Sequence, residues 1–478
     1  MTGRRSSRRA ARLLATVAMG GAILVSGGAL AFAGGRAVGA ARPSVSPAAA
    51  AALGQAAYLY GFPLLEFLRV TRTETSVRCA DRAGNAPLNT FSDAAHFARP
   101  QDRIVVAPNV DTLYSIAHLD LGRGPVVLSH PAMGHRYFVF ELLDPYTNVI
   151  GYIGSRTTGA AAGRFALTWA GHRGRRVPGA RVIGSDYRRV WVIGRTLAGG
   201  PADQRRALAL MARYALRAPR SHGAAHRCRP GPVRPAATPT VTGFLAALDR
   251  GLTANPPPPR DRPLLQRLAA IGVGPGLTPA RAQLGRAARA ALNAAIAQTA
   301  TLLPAIARRT VLSEAEHNHG WANPSPEIGA YETDYRFRAG VAVVGLGANT
   351  RAEAIYPTAL TDDTGQPLEG GSSYRLVFAP GQAPPARAFW SLTMYDAAGY
   401  LVANPQHRYA IGSDHPPLRR ERDGSIVVAL QRSRPADPHA NWLPTPTAGF
   451  RLSLRLYWPR SQALSGRWQP PPIQPVSR

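Results

Sequence analysis

Two carboxylates and two phenols are the first groups in this chain whose types and positions suit chemistry. Asp111 and Tyr114 lie in RIVVAPNVDTLYSIAHLDLG, residues 103–122, and Asp144 and Tyr146 lie in RYFVFELLDPYTNV. A carboxylate pair can act as general acid and base when burial drives the two pKa values apart. The same residues are also good turn formers, because Asn109 with Asp111, and Asp144 before Pro145, can bond their own backbone. Both readings stand on the sequence. A second set, Tyr395, Asp396, Asn404, Arg408, Tyr409, Asn441 and Trp442, places aromatic faces beside amides and a guanidinium. That mixture suits a sugar or another small polar ligand, and it suits an interface between domains equally well.

Other chemistries fare less well. Glu316-His317-Asn318-His319 is the one dense His/Glu cluster. Histidines at i and i+2 on an extended segment can share a metal, but solvated loop residues look the same, and no metal is expected. There is no G-x-S-x-G elbow, and Ser391 falls within a strand pattern where its hydroxyl is structural. Neither a Walker loop nor a strand-linked G-x-G-x-x-G is present, so no nucleotide cofactor is expected.

The elements that must position these residues can be read from periodicity. Ile104 to Val106 reads as a short buried strand ended by Pro108. Asn109 to Asp111 then turns the chain into a strand, where Leu113, Ser115, Ala117 and Leu119 alternate with Tyr114, Ile116, His118 and Asp120. Ser46-Pro47 predicts a helix start, with Pro63 expected to kink or restart the helix. Short strands are expected at 137–144, 148–153, 164–169 and 190–193, then a helix from Gly200-Pro201-Ala202-Asp203 to about Arg217. The stretches 221–239 and 256–259 read as extended connections, and Thr278-Pro279 as the start of a helix that Pro304 interrupts. Strand character is expected to return near Tyr335, with clear strands at 374–378, 388–395, 425–431 and 450–458. Phe450, Leu452, Leu454, Leu456 and Trp458 share one face of the last. Short strands with regular turns and no intervening helices favour antiparallel sandwiches.

Composition bounds the rest. The chain has 478 residues, enough for two or three cored domains, and 45% hydrophobic content. Its net charge of +30 comes from 57 basic residues, all arginine, against 27 acidic ones. The arginines are dispersed without an aromatic–basic module, which argues against nucleic acid, whereas anionic envelope polymers or lipid head groups fit such a surface. Arg4, Arg5, Arg8, Arg9 and Arg12 precede an uncharged run from Leu13 to Gly35, with small-x-small sites at 31–33 and 38–40. This describes an export signal, or a single anchor if uncleaved. In an exported chain Cys79 and Cys228 would pair as a disulfide, the alternative being two separate thiols. Oligomeric state is not legible.

Several longer stretches resemble a known family pair. YLYGFP, PNVDTLYSIAHLDLGRGPVVLS, RYFVFELLDPYTNV, SRTTG and VWVIGRT followed by GPAD resemble the domain of unknown function 1254. GLGAN, FWSLTMYDAAGYLV, NPQHRYAIG, NWLPTP and LRLYWP resemble the domain of unknown function 1214. The resemblance implies a mainly β protein with an N-terminal β-sandwich, a helical insert and a C-terminal jelly-roll-like β-sandwich. It implies no catalytic assignment. The expected organisation is therefore a leader or anchor over residues 1–41, a first sandwich with its leading helix over 42–200, a helical and proline-rich segment over 201–330, and a second sandwich over 331–478. The functional expectation is an exported protein with a cleft between the sandwiches that binds, and by acid/base chemistry hydrolyses, a small polar or carbohydrate-like molecule. Its rival is a non-enzymatic envelope protein that holds polyanions.

Overall fold

The computed structural model describes residues 45–103, 105–172, 177–219, 231–313, 316–414 and 418–476. The predicted leader, Ile104 and Cys228 lie outside the described residues. Helix α1 (Pro47–Glu74) starts where expected, with the Ser46 hydroxyl accepting from the Ala49 amide. It runs straight through Pro63 in sequence, without a break. A proline there removes one backbone hydrogen bond, at about 3 kcal/mol, and the packing of a 28-residue helix offsets that cost.

Eight strands follow: β1 (Ser92–Asp93), β2 (Thr112–Asp120), β3 (Val126–His130), β4 (Phe138–Leu143), β5 (Val149–Gly154), β6 (Gly163–Trp169), β7 (Arg181–Ser185) and β8 (Arg189–Leu197). Helix α2 (Pro201–Met211) stops short of the expected end, because β9 (Ala215–Arg217) pairs with β3 instead. The strands form two sheets, ordered β1-β2-β8-β4-β5 and β7-β6-β3-β9. Leu113, Phe140 and Val192 from the first meet Leu128, Phe165 and Leu167 from the second in one core. The run before Pro108 is not a strand: Val105 is 63% and Val106 44% exposed. Ala107 there takes a φ of 51° and donates its amide to Gly399, so the segment docks on a loop rather than on a strand partner.

Helices α3 (Val241–Ala254), α4 (Arg262–Leu268) and α5 (Arg286–Ser313) form the middle of the chain. Thr278-Pro279 opens only a 3-10 turn, Pro279–Arg281, where the Thr278 side chain makes no cap bond, and α5 then continues through Pro304. These helices meet α1 closely. A Cβ on Gly54 would come within 2.9 Å of the Leu292 side chain, and one on Gly61 within 2.7 Å of Leu248, so larger residues would push the helices apart.

The second sandwich begins with a hairpin of β10 (Glu316–Asn318) and β11 (Trp321–Asn323), turning at His319-Gly320, where the sequence suggested a loop. Residues near Tyr335, expected as strand, form helix α6 (Tyr335–Val344), because the Asp334 carboxylate caps it by accepting from the Phe337 amide. The remaining strands are β12 (Ala354–Ile355), β13 (Thr358–Ala359), β14 (Tyr374–Phe378), β15 (Ala386–Asp396), β16 (Ala410–Gly412), β17 (Ile426–Gln431), β18 (Asn441–Pro444), β19 (Phe450–Pro459) and, after α7 (Ser461–Leu464), β20 (Ile473–Pro475). They order as β10-β11-β13-β19-β15-β16, with β12 also on β19, and as β18-β17-β14-β20. Trp390, Leu392 and Leu454 pack against Leu376 and Val428 between these sheets. Trp458 is only half-buried, since its φ of 51° takes it out of the strand's alternation.

Two pairs depart from the antiparallel rule: β6 with β7, and β17 with β18, are parallel. A parallel pair requires the chain to return to the same end before pairing. Residues 432–440 make that return in the second sandwich, and they matter below.

Candidate functional site

The turn at 109–111 is built as an Asx turn. The Asn109 carbonyl Oδ1 accepts from the amides of Asp111 at 2.6 Å and Thr112 at 3.1 Å, and its Nδ2 donates to the Tyr457 hydroxyl. Asp111 is 2% exposed and its Oδ2 accepts from Ser391 Oγ at 2.5 Å. Tyr395 donates to the Pro108 carbonyl at 2.6 Å and receives Arg455 Nη2 at the same distance. Arg455 also donates to Thr393 Oγ1 at 2.7 Å and to the Ala107 carbonyl at 3.0 Å. Burial pushes the Tyr395 phenol up, against the pull of Arg455. Asn109, Asp111 and Tyr395 thus lie together in a closed layer where β15 and β19 face the first sandwich.

That layer extends sideways. Tyr114 on β2 stands opposite Arg195 on β8, whose guanidinium lies over the Tyr114 ring, 5.5 Å from its centroid. Arg195 donates to Glu141 at 2.7 Å and to the Gly347 carbonyl at 3.3 Å. Glu353, on the second sandwich's side, accepts from Tyr137 at 2.8 Å and Arg156 at 2.6 Å. Burial pushes the Glu141 carboxyl up even with Arg195 beside it, and its Oε1 has no hydrogen-bond partner among the described residues. These groups hold the two sandwiches to each other.

Asp144 and Tyr146 are elsewhere, under the helices. Asp144 accepts from the Asn148 amide at 2.9 Å, and Tyr146 donates to the Asn255 carbonyl at 2.8 Å. The Arg338 guanidinium sits against the faces of Tyr60, Tyr146 and Tyr335, while the Tyr60 and Tyr335 hydroxyls both donate to Asp261 at 2.9 Å. Burial raises Asp144 to about 6. Asp111 and Asp144 therefore belong to two different networks, and the acid/base pair anticipated from sequence is not assembled. The two exposed histidines, His317 and His319, stand on the β10–β11 hairpin; the Glu316 side chain lies outside the described residues.

Arg408, Asn441 and Trp442 do come together, with Tyr409, on an open cleft of about 1200 Å³ between the sandwiches. The first sandwich supplies Phe97, Ala98, Val110, Ala198, Gly200 and Gln204. Val110 is the middle residue of the Asn109–Asp111 turn, so that turn sends its polar groups into the sealed layer and its apolar tip to the cleft. Asp203 fixes the rim: Arg136 bonds it at 2.6 and 2.7 Å, holding its carboxyl down at about 2, and the Gly199 amide donates to it at 3.0 Å.

The second sandwich supplies the charge. Arg408, Arg419 and Arg434 line the cleft with a single carboxylate, Asp437, which Arg419 already bridges. Among the described residues the Arg408 guanidinium donates once, to the Trp442 carbonyl at 2.9 Å. Asn441 is spent on structure, donating to the Arg419 and Val427 carbonyls and accepting from the Arg419 amide. Trp442, a buried residue on the cleft lining, gives its N–H to the Gln431 carbonyl at 2.7 Å. Asp396 and Asn404 are not among the lining residues; the Asn404 amide closes its own turn by bonding Arg408's backbone.

Arg434, Asp437 and His439 were not singled out from sequence. The available signal was the proline- and charge-rich loop RSRPADPHA between two strand patterns, with Gln406 and His407 inside NPQHRYAIG beside the recognised Arg408.

Comparison with known proteins agrees with the two-part reading. Residues 88–218 match Protein of unknown function (DUF1254), and residues 353–461 match Protein of unknown function (DUF1214). No curated protein matches the chain. A crystal structure of a Vibrio parahaemolyticus protein superimposes with a TM-score of 0.68 at 22% identity, covering 90% of this chain and all of that one, which shows a shared fold. An uncharacterised protein of Burkholderia cenocepacia aligns over 90% of this chain and 94% of its own, at 14% identity and a TM-score of 0.43, too low to establish a shared fold. The segments GPAD, NPQHRYAIG and NWLPTP, which carry much of the family likeness, each contribute to the cleft lining. The chain carries the first of these domains followed by the second, and belongs to the paired DUF1254–DUF1214 family.

Proposed function

We propose that this is an exported binding protein that takes a small, polar, negatively charged molecule, acidic sugars included, into the cleft between its two sandwiches. One observation carries the reading: three arginines line the cleft against a single carboxylate that is already bridged. Guanidinium forks match carboxylate and phosphate geometry, and a lined concavity raises their worth over exposed arginines elsewhere. Hydrolysis by a carboxylate pair has less support, since Asp437 is the lone carboxylate among the described lining residues. Export rests on the arginine-led apolar run near the N-terminus, and a Cys79–Cys228 bridge is the pairing an oxidising compartment would favour.

The test is a thermal-shift series on the full chain with inorganic phosphate, glucuronate and neutral sugars. Ligands that prefer the folded state raise the melting temperature. Anions should raise it and neutral sugars should not, and Arg434→Ala should remove the shift without lowering the unliganded melting point. The net charge of +30 favours a second reading, a protein that holds anionic envelope polymers over its whole surface. Binding to polyphosphate that survives Arg434→Ala, with no response to small anions, would select it.

A further inference from the structure

The two walls of the cleft differ in kind. Every charged side chain among its described lining residues comes from the second sandwich. The first sandwich presents Phe97, Ala98, Val110 and Ala198, and its one lining amide, Gln204, already donates to the Ala95 carbonyl at 3.0 Å. Val110 is continuous with the buried cluster of Tyr395, Leu401 and Ala410, so the apolar wall is the edge of a core and not a scatter of surface side chains. On the facing side, Arg419 is committed to Asp437 and Glu421, which leaves Arg408 and Arg434 as the guanidinium groups with donors to offer. A sugar acid would set ring hydroxyls against the apolar wall and lose their hydrogen bonds to water without replacement. A molecule with a carboxylate at one end and an aromatic or aliphatic body at the other meets both walls.

We infer that the ligand is an amphipathic organic carboxylate, its head held by Arg408 and Arg434 and its apolar body laid between Trp442 and the Phe97–Val110 wall. This rests on the anion-binding reading of the same cleft and narrows it. Trp442 lines the cleft while only 6% exposed, so it gives the body a packed apolar boundary rather than an open stacking face, its N–H being occupied. The volume of about 1200 Å³ accommodates a body larger than a single ring.

Titration calorimetry of the full chain with 2-naphthoate, glucuronate and inorganic phosphate tests it, since the two carboxylates carry equal charge on opposite kinds of body. 2-Naphthoate should bind at least about tenfold more tightly than glucuronate, as expected when several carbons leave water. Phe97→Ala should weaken 2-naphthoate about tenfold and leave phosphate unchanged. Should that variant fold poorly, Ala98→Asp, at a partly exposed position, places a repelling charge on the apolar wall and should weaken 2-naphthoate similarly. Arg434→Ala should weaken both carboxylates. Glucuronate binding as well as 2-naphthoate, with both weakened by Arg434→Ala, would overturn the two-walled ligand and leave the anion cleft standing. Absence of binding by all three anions would remove both.

Discussion

The layer between the sandwiches and the cleft beside it are made from the same residue types, and they differ in what those residues have left to give. In the layer, Arg455 spends its donors on Thr393, Tyr395 and Ala107, and Asp111 accepts from the Ser391 hydroxyl. In the cleft, Arg434 is exposed and Arg408 makes one structural bond through its guanidinium. A buried polar group without a partner costs free energy, so the layer had to be closed by the protein itself. Exposed donors in the cleft can be satisfied by solvent, which a ligand can displace. Polar character therefore marks a site only where donors remain unspent.

The strongest way to break this comparison is to open the layer. Arg195→Met should cost about 3 to 5 kcal/mol in urea unfolding, because Glu141 loses its buried partner and must take a proton or stay charged without one. A loss below about 1 kcal/mol would mean that water reaches the layer and that its closure is not what holds the sandwiches. Asp111→Ala is milder. It should cost about 1 to 3 kcal/mol by stranding Ser391 Oγ, with anion affinity in the cleft unchanged. Unchanged stability with lost affinity would reinstate Asp111 as a ligand contact.

Asp144 sharpens the comparison from the helical side, since it is closed in without a countercharge in hydrogen-bond contact. Its folded pKa of about 6 lies above the ordinary carboxylate value, so the folded chain keeps a proton that the unfolded chain releases. The associated stability is complete below about pH 4 and is lost as pH rises through about 6, by roughly 2 to 3 kcal/mol at 1.4 kcal/mol per unit. Asp203, held down at about 2 by Arg136, acts with the opposite sign and only below about pH 4. Asp144→Asn should accordingly flatten the fall in unfolding free energy between pH 4 and 6. A slope unchanged by that substitution would mean the carboxyl is hydrated.

What could be read from sequence divides along the same line. The alternation of Leu113, Ser115, Ala117 and Leu119, and that of Phe450 to Leu456, located core strands correctly because one face of each meets only side chains of its own sandwich. The opposite faces carry polar groups whose partners lie in the other sandwich or on a neighbouring strand. Asp111, Tyr114 and Tyr395 look available when only one strand is considered, and their partners Ser391, Arg195 and Arg455 are far away in the chain. A kink or restart at Pro63 and an interruption at Pro304 are what the local cost visible in sequence predicts, whereas the packing that offsets that cost is not visible there. The parallel β17–β18 pair was invisible for a similar reason, and with it the loop 432–440 that brings Arg434 and Asp437 to the cleft. Arg408 and Trp442 stand out in sequence because aromatic and amide residues cluster near strand ends, a signal the cleft and the interface share, and both line the cleft.

The smallest expected effect separates the two regions without any substitution. Exposed charges are screened over about 8 to 10 Å at ordinary ionic strength, and buried ones much less. Raising sodium chloride from 0.05 to 0.5 M should weaken anion binding in the cleft severalfold, because chloride competes for Arg408 and Arg434 and screens them. The unfolding cost of Arg195→Met should change by no more than a few tenths of a kcal/mol over the same range, since its charges are shut away from salt. If salt instead moved both quantities together, the layer would be as open to solvent as the cleft. The distinction between spent and unspent arginines would then fail, and Asp111 and Tyr395 would return as candidates for ligand contact.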